Sequence, residues 1–302
     1  MYTGSNPVGA NVEEMIEWYY LVIIAAILQA MVLIIEKMLL RSEHALSYSA
    51  SVTLLIGLFS LLLIPFVNFS LNFFQLAFLF VYGTLLALSY WMTARLFRHG
   101  SLSTGSPAYN ILPIIVVVVL AFIFLSENIG LEKYLAILVI ICATFVMVGQ
   151  SNRKRDLPQK KYYDYTIVVV ALLIGIANAF LKYCLTQINV LTFLLFTSLF
   201  TPLVVYLLMV NRPSEYKKET KVDTRKFILP LVAIAVLSLG YRIFLYSAIA
   251  VAPVSIAIPL SSAIIVMITV LSGGLFFGEH RIAQKVTLSV IMLVAAYFLI
   301  AG

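Results

Sequence analysis

The chain has 302 residues, of which 63% are hydrophobic and 11% charged, and its mean hydropathy is +1.06. Soluble domains carry about 25% charged residues, so this composition argues against a water-soluble globular protein. The formal net charge of +7 is spread over short gaps between apolar runs. That distribution is typical of membrane topology signals and not of a nucleic-acid-binding face, so we expect no nucleic-acid partner.

Ten apolar stretches follow one another along the sequence, and each is long enough to cross a bilayer as a helix. Backbone groups in lipid must be hydrogen-bonded internally, so continuous apolar runs of this length predict α-helices and not barrel strands. The predicted spans are 18–40, 46–66, 73–97, 102–125, 132–150, 166–187, 190–210, 227–249, 254–277 and 282–301. The sequence therefore predicts an all-α, multi-pass protein of the cell membrane, with the lipid bilayer as its surroundings.

The most polar stretch, 151–165, lies at the middle of the chain and divides the spans five and five. We expect an extramembrane N-terminal segment over 1–17, a five-helix unit over 18–150, a basic linker over 151–165 and a second five-helix unit over 166–302. The first span is longer than a signal-peptide core and follows acidic residues, so we expect it to remain in the mature protein.

The two halves share a weak internal repeat. Pro107 stands 20 residues before Glu127, and Pro259 stands 20 residues before Glu279, so both pairs are offset by 152 positions. At the same offset Lys133 aligns with Lys285 and Ala143 with Ala295. A repeated unit with an odd number of spans enters the membrane in opposite senses in its two copies. The sequence therefore predicts two inverted five-helix repeats, an architecture that many secondary transporters share.

Two segments carry a family resemblance. The stretch 106–113 (Ser-Pro-Ala-Tyr-Asn-Ile-Leu-Pro), with the apolar run that follows it to Glu127, resembles the EamA-type family of the drug/metabolite transporter superfamily. So does 258–262 (Ile-Pro-Leu-Ser-Ser), which leads into Glu279. The resemblance covers nearly the whole chain and implies a ten-helix exporter or exchanger of small metabolites. On this basis we expect a transporter and not an enzyme, with a small-molecule substrate and no cofactor.

The basic residues predict the orientation in the membrane. Seventeen of the twenty Lys and Arg residues lie in or beside the loops after spans 1, 3, 5, 7 and 9. The positive-inside rule therefore places these loops in the cytoplasm and both termini outside. Members of the EamA-type family are usually described with both termini in the cytoplasm. We predict the orientation that the charge bias gives, because the bias is large.

Arg242 is the strong base that lies well inside an apolar run, in the eighth span. A cation at such a depth costs about 2.5–3.5 kcal/mol on insertion scales, so we expect it to face a cavity or a partner. Ser238, Arg242 and Tyr246 are spaced by four and form one polar stripe, with Tyr241 adjacent. We interpret this stripe as an anchor for an anionic group of the substrate, and the structural alternative is an arginine bonded to backbone carbonyls at a helix break.

Further candidates for the substrate site are polar and aromatic side chains inside other spans. They are the amides Gln29 and Asn178, the aligned pair Asn110 and Ser262, and the aromatic residues Tyr90, Trp91 and Tyr109. Amides in apolar helices also serve as interhelical contacts, prolines as kinks and aromatic rings as packing, so these roles stay open beside substrate binding.

The acidic residues favour structural roles. Glu127 and Glu279 each end an apolar run just before the next helix, so we expect them to cap that helix. Glu36 lies towards the end of the first span and Lys182 towards the end of the sixth. Inverted repeats place those two ends at opposite membrane surfaces, so we do not expect the two side chains to pair. With no acidic residue deep in a span, the sequence offers no obvious proton carrier.

The favoured function is a secondary transporter that works by alternating access, with its site between the two halves. A membrane-embedded enzyme would need a nucleophile with a base, a carboxylate pair or a metal cluster at membrane depth. Cys142 and Cys184 lack metal-ligand spacing, and we expect neither a disulfide nor a metal site. A channel would favour a repeated filter or a pore-lining charge ring. Substrate, transport direction, coupling ion, and monomer against homodimer stay open at this point.

Overall fold

The computed structural model describes residues 12–40, 45–99, 102–152, 160–210, 224–279 and 282–301, and these residues form helices joined by short connections. The helices are α1 (Val12–Leu39), α2 (Ala45–Ser60, continued by a 3-10 helix at Leu61–Phe66), α3 (Phe73–His99), α4 (Leu102–Phe124), α5 (Leu131–Asn152), α6 (Lys160–Leu185), α7 (Val190–Val210), α8 (Thr224–Val251), α9 (Val254–Phe277) and α10 (Ile282–Ala301). All ten are long and apolar enough to cross a membrane, which confirms the predicted all-helical membrane class.

The helix bounds follow the apolar runs closely, with two exceptions. Helix α9 covers 254–277 as predicted, whereas α1 and α6 begin six residues before their predicted spans, at Val12 and Lys160. Backbone hydrogen bonding does not require apolar side chains, so a helix can project beyond the part that the bilayer covers. The apolar portions alone, Trp18–Leu39 and Tyr165–Leu185, match the prediction.

Helix α9 lies at the centre of the bundle. Inside its apolar window 78% of the residues are buried by the protein, against 28–44% in the other nine spans. It packs on α1, α4 and α10. The outer helices expose large apolar side chains, such as Leu203, Phe122 and Phe298, to the surroundings. An exposed apolar surface of this extent is typical of helices that face lipid.

The helix contacts follow a regular pattern. For the larger contacts, when each helix of a packed pair is replaced by the helix at the same place in the other half, the resulting two helices also pack together. The contact of α1 with α8 corresponds to that of α6 with α3, and the contact of α1 with α9 to that of α6 with α4. In the same way α2 with α8 corresponds to α7 with α3, and α9 with α10 to α4 with α5. Three further contacts join helices that occupy the same place in the two halves: α4 with α9, α5 with α10 and α2 with α7.

Helices α4 and α9 run antiparallel. The carboxylate of Glu279, just after α9, accepts hydrogen bonds from the first N–H groups of α4, at Leu102 (2.7 Å) and Ser103 (3.0 Å). At the opposite ends, Glu127 after α4 accepts from the first N–H groups of α9, at Val254 (3.0 Å) and Ser255 (3.1 Å). These side chains satisfy N–H groups that have no partner inside their own helix.

Both glutamates follow the same kind of helix-ending turn. Ser126 and Gly278, the residues before them, adopt left-handed conformations with φ of 54° and 60°. The N–H of each glutamate then bonds to the carbonyl six residues back, Ala121 and Gly273 respectively, at 3.1 Å. Glycine adopts this conformation without strain, whereas serine carries a Cβ that disfavours it.

Candidate functional site

A cavity of about 100 Å³ lies among α1, α2, α3, α4, α6, α8 and α9. Its wall is unusually polar for a membrane-spanning bundle. It contains six tyrosines, three amides, five hydroxyl side chains, one carboxylate and one guanidinium, with aliphatic residues between them. The tyrosines are Tyr48, Tyr82, Tyr90, Tyr109, Tyr241 and Tyr246. Polar groups that converge on a concave site inside an apolar bundle are typical of small-molecule sites.

Ten of the eleven candidate residues from the sequence line this cavity. They are Gln29, Tyr90, Tyr109, Asn110, Asn178, Ser238, Tyr241, Arg242, Tyr246 and Ser262. Trp91 is placed elsewhere: it is buried against Leu46, Ala87 and Val205, and the guanidinium of Arg95 lies 4.3 Å from its ring centre. The stripe on α8 and the aligned residues Asn110 and Ser262 therefore line the same cavity. Substrate binding by these residues remains a prediction.

The guanidinium of Arg242 is buried, with 3% of the residue exposed. It donates a hydrogen bond to the phenol oxygen of Tyr90 at 2.8 Å and a longer one to Ser198 at 3.4 Å. Its carbon also lies 5.5 Å from the centre of the Tyr90 ring. These partners are neutral side chains, and α8 continues unbroken through Arg242. The contacts therefore differ from those of the structural alternative, which required backbone carbonyls at a helix break.

Two of the tyrosines in the cavity wall form a hydrogen-bonded pair. The phenol oxygens of Tyr82 on α3 and Tyr246 on α8 lie 2.9 Å apart. Both rings pack on Phe193, with ring centres 4.7 Å and 5.9 Å away in edge-on arrangements. This pair closes one side of the cavity with aromatic surface while its hydroxyl groups remain satisfied.

Glu36 also lines the cavity, and the sequence analysis did not place it there. Only 6% of the residue is exposed. A signal for this placement was present, because Glu36 follows Gln29 by seven residues and so shares its helix face. The sequence analysis found no acidic residue deep in a span, and Glu36, which lies towards the end of its span, lines the cavity nonetheless.

Two hydroxyl groups in the wall have no hydrogen-bond partner among the described residues. They belong to Thr93 on α3 and Ser261 on α9, which are 5% and 3% exposed. Buried polar atoms are almost always paired in folded proteins, so orphan groups at a cavity indicate a place for a polar ligand or water.

Lys182 is not part of the cavity wall. Its ammonium group donates to the carbonyls of Ile249 (2.7 Å), Ala250 (3.3 Å) and Ala252 (2.9 Å) at the end of α8. Lys37 makes the equivalent contact in the first half, with the carbonyl of Phe97 near the end of α3 (2.6 Å). These lysines satisfy carbonyls that have no partner inside a helix, and their charge favours the negative end of the helix dipole.

The glutamates Glu127 and Glu279 cap helices, as predicted, but the helices differ from those expected. Each was expected to cap the next helix in the chain, and each instead caps a helix of the other half. Glu127 also accepts from the Ser255 hydroxyl (2.6 Å), and Glu279 accepts from the Ser103 hydroxyl and lies 3.8 Å from the ammonium of Lys285. The two halves are therefore joined twice, once where α9 ends beside the start of α4 and once where α4 ends beside the start of α9.

The described residues include no group of three or more His, Cys, Asp or Glu side chains placed to hold a metal ion.

Comparisons with known proteins give a fold match and no family. No family model and no curated protein matches the chain. A protein of known crystal structure matches with a TM-score of 0.67 at 14% sequence identity, over 93% of this chain and 96% of that chain. This similarity covers the whole bundle and concerns the fold alone.

Proposed function

We propose that the chain is a secondary transporter of small metabolites, built from two inverted five-helix repeats with the cavity as its substrate site. The observation that carries this proposal is the makeup of the cavity wall. Five positions of α3 line the cavity, and the five positions 152 residues later on α8 line it too. These are Tyr82, Leu86, Ser89, Tyr90 and Thr93, and Ile234, Ser238, Tyr241, Arg242 and Leu245. A wall made of equivalent positions is expected where a site lies on the axis that relates two repeats.

Contacts between equivalent residues support the same arrangement. Arg242 bonds to Tyr90, its counterpart at a separation of 152 residues, and the Ser262 hydroxyl donates to the carbonyl of its own counterpart, Asn110, at 3.0 Å. A residue contacts its own counterpart only close to a two-fold axis. The antiparallel packing of α4 and α9 is consistent with a two-fold axis in the membrane plane. Rotation about such an axis exchanges the two membrane surfaces and so reverses the direction of each helix.

The reciprocal caps suggest how the two halves move. Each half presents one glutamate to the first N–H groups of the other half's central helix, one at each end of the pair. Rocking of one half against the other would open the cavity first at one surface and then at the other. We infer that the Glu127 and Glu279 contacts hold the two ends closed, and that opening at one surface releases the contact there.

Arg242 indicates that the substrate carries an anionic group. A guanidinium offers planar, two-pronged donors that fit a carboxylate or phosphate. Its described partners are neutral, so an anionic group of the substrate would supply the missing counter-charge. We further propose membership of the EamA-type family, a location in the cell membrane, and cytoplasmic loops after α1, α3, α5, α7 and α9, on the motifs and charge bias of the sequence.

Uptake into proteoliposomes tests the proposed function. Purified protein would be screened against labelled amino acids, sugar phosphates and cationic drugs, with the Arg242→Gln variant in parallel. We expect saturable uptake of at least one anion-bearing compound and its loss in this variant. Lys133→Gln removes the same charge outside the cavity wall and should transport normally. Ion conductance without saturation, or uptake that survives in Arg242→Gln, would contradict the proposal.

A further inference from the structure

The helix ends define two surfaces of the bundle. Helix α8 ends just before Val254, whose N–H donates to Glu127. Helix α3 ends just before Leu102, whose N–H donates to Glu279. Because α4 and α9 run antiparallel, these two contacts lie at opposite surfaces, which we call the Glu127 surface and the Glu279 surface. Helix α3 crosses the bundle and therefore begins at the Glu127 surface, where α8 ends.

Three aromatic side chains lie at the end of the cavity that faces the Glu127 surface. Of the cavity-lining residues, Tyr82 is nearest to this surface on α3, and Tyr246 is nearest to it on α8. Their phenol groups are hydrogen-bonded to each other at 2.9 Å. Phe193, near the start of α7 at the same surface, packs on both rings. All three residues are at most 4% exposed, and they lie between Arg242 and this surface.

Among the described residues, the opposite end of the cavity has no such bridge. The positions equivalent to Tyr82 and Tyr246, 152 residues away in the other half, are Ile234 and Ala94. Neither of these side chains has a hydrogen-bonding group. The hydroxyl of Thr93, which lines the cavity one residue before Ala94, has no hydrogen-bond partner in the same part of the chain. The two repeats therefore differ in how α3 and α8 are joined at the two surfaces.

A second bond between α3 and α8 lies deeper in the cavity. Arg242 donates to Tyr90, its own counterpart, so this contact lies close to the two-fold axis proposed for the repeats. Rocking about such an axis changes distances near it least and distances far from it most. Separation of α3 from α8 at the Glu127 surface would therefore break the bond between Tyr82 and Tyr246, whereas separation at the Glu279 surface would preserve it.

We propose that the hydrogen-bonded pair of Tyr82 and Tyr246, supported by Phe193, is a gate that closes the cavity towards the Glu127 surface. Opening to that surface breaks the bond, and opening to the Glu279 surface does not. The predicted orientation places the Glu127 surface outside, so the gate faces the extracytoplasmic side. This inference rests on the proposed function, because it describes how access to the same site is controlled.

A thiol in the cavity wall tests the gate in the full-length protein. Ser238→Cys, with Cys142 and Cys184 replaced by serine, is labelled with a membrane-impermeant thiol reagent in right-side-out and in inside-out membrane vesicles. A separate Asn128→Cys variant in the same background places an exposed thiol next to Glu127. Its labelling identifies the vesicles in which the Glu127 surface faces the reagent.

Tyr82→Phe keeps the ring and removes the hydroxyl. It should raise the labelling rate from the Glu127 surface by about two- to tenfold, which is the effect expected for loss of one hydrogen bond between neutral groups. The rate from the Glu279 surface should stay the same or fall. Tyr297→Phe removes a hydroxyl from an exposed tyrosine of α10 and should leave both rates unchanged. An unchanged rate from the Glu127 surface in Tyr82→Phe, or an equal rise from both surfaces, would overturn the proposal.

Further variants test whether the two hydroxyls act as one bridge. Tyr246→Phe should give the same one-sided rise, and the double variant should not exceed the larger single effect, because both changes remove the same bond. Single effects that multiply in the double variant would show that the hydroxyls act separately and would contradict the bridge. Phe193→Leu loosens the packing behind the rings, so it should raise the rate from the Glu127 surface without altering either hydroxyl. A fall in that rate would contradict its supporting role.

The gate and the proposed transport fail in different ways. A thiol that reacts from both surfaces, at rates that Tyr82→Phe does not change, would preserve alternating access and contradict the gate. A thiol that reacts from the Glu127 surface only, and faster in Tyr82→Phe, would preserve the gate and contradict alternating access. Reaction from the Glu279 surface only, in the unmodified protein and in every variant, would contradict both.

Discussion

Removal of the Glu279 carboxylate should destabilise the bundle strongly. Glu279→Ala deletes the acceptor for two N–H groups of α4, at 2.7 and 3.0 Å, and separates the Lys285 ammonium from its partner at 3.8 Å. Hydrogen bonds to charged groups contribute about 1.5–3 kcal/mol each, whereas loss of an ordinary helix cap costs about 0.5–2 kcal/mol. Leu102 and Ser103 are fully buried, so water does not replace the carboxylate easily. We therefore expect a loss of about 3–4 kcal/mol.

Thermal unfolding in one detergent measures this effect. A loss of that size should lower Tm by roughly 6–16 °C, at about 2–4 °C per kcal/mol. Glu279→Gln keeps one acceptor oxygen and should lose about half as much. Glu132→Ala is the matched control, because Glu132 is exposed in the first turn of α5 and contributes at most about 1 kcal/mol through the helix dipole. A Glu279→Ala protein that melts with the Glu132→Ala control would refute the capping argument.

The other predictions concern the binding site, the backbone and the membrane orientation. Arg242→Lys should weaken substrate binding about tenfold, and Arg242→Gln should weaken it further, while both variants change Tm less. A stability that falls more than the affinity for substrate would indicate that Arg242 has a structural role. Ser126→Gly should raise stability by about 0.5–1 kcal/mol by relieving a positive φ of 54°, and Gly278→Ser should lower it by about 1 kcal/mol, both measured by thermal unfolding. Gly175→Ala should cost about 1–3 kcal/mol because the added Cβ would lie 2.4 Å from the Val116 Cβ, whereas a Gly149→Ala control meets nothing within 4 Å. A reporter fused to the C-terminus should give an extracytoplasmic signal, and a cytoplasmic signal would reverse the predicted orientation.

The sequence predicts the helices well because the bilayer requirement is simple. An uninterrupted apolar run must form a helix in lipid, and its polar ends are visible in the sequence, as at 254–277 for α9. The start of α6 at Lys160 was missed because hydropathy records where lipid begins and not where helical hydrogen bonding begins. Helix bounds in polar flanks therefore need the structure.

The site could be predicted where helical periodicity applied within one helix. The spacing of Ser238, Arg242 and Tyr246 identified a face of α8 that lines the cavity. The same rule excludes Trp91, because it follows Tyr82 by nine residues and, at about 100° per residue, lies on the opposite side of α3 from that cavity residue. Glu36 was missed because its position towards the end of the predicted span suggested the membrane surface.

Contacts between distant parts of the chain could not be predicted from local pattern. Glu127 stands beside α5 in sequence and bonds to α9 in the structure. Sequence distance alone favours the adjacent helix, and only the antiparallel packing of α4 and α9 brings the other N-terminus within reach. The chemical role of a cap was therefore predictable, and its partner was not.

Access to the cavity from the two membrane surfaces tests the central claim most directly. Ser238→Cys, with Cys142 and Cys184 replaced by serine, places one thiol in the cavity wall. In sealed proteoliposomes, a membrane-impermeant thiol reagent would be added to the outside or enclosed inside. Alternating access predicts that the thiol reacts from each side, while the reagent itself does not cross the membrane. Reaction from one side only, or reaction from both sides accompanied by leakage of the reagent, would contradict a cavity that opens alternately to the two surfaces.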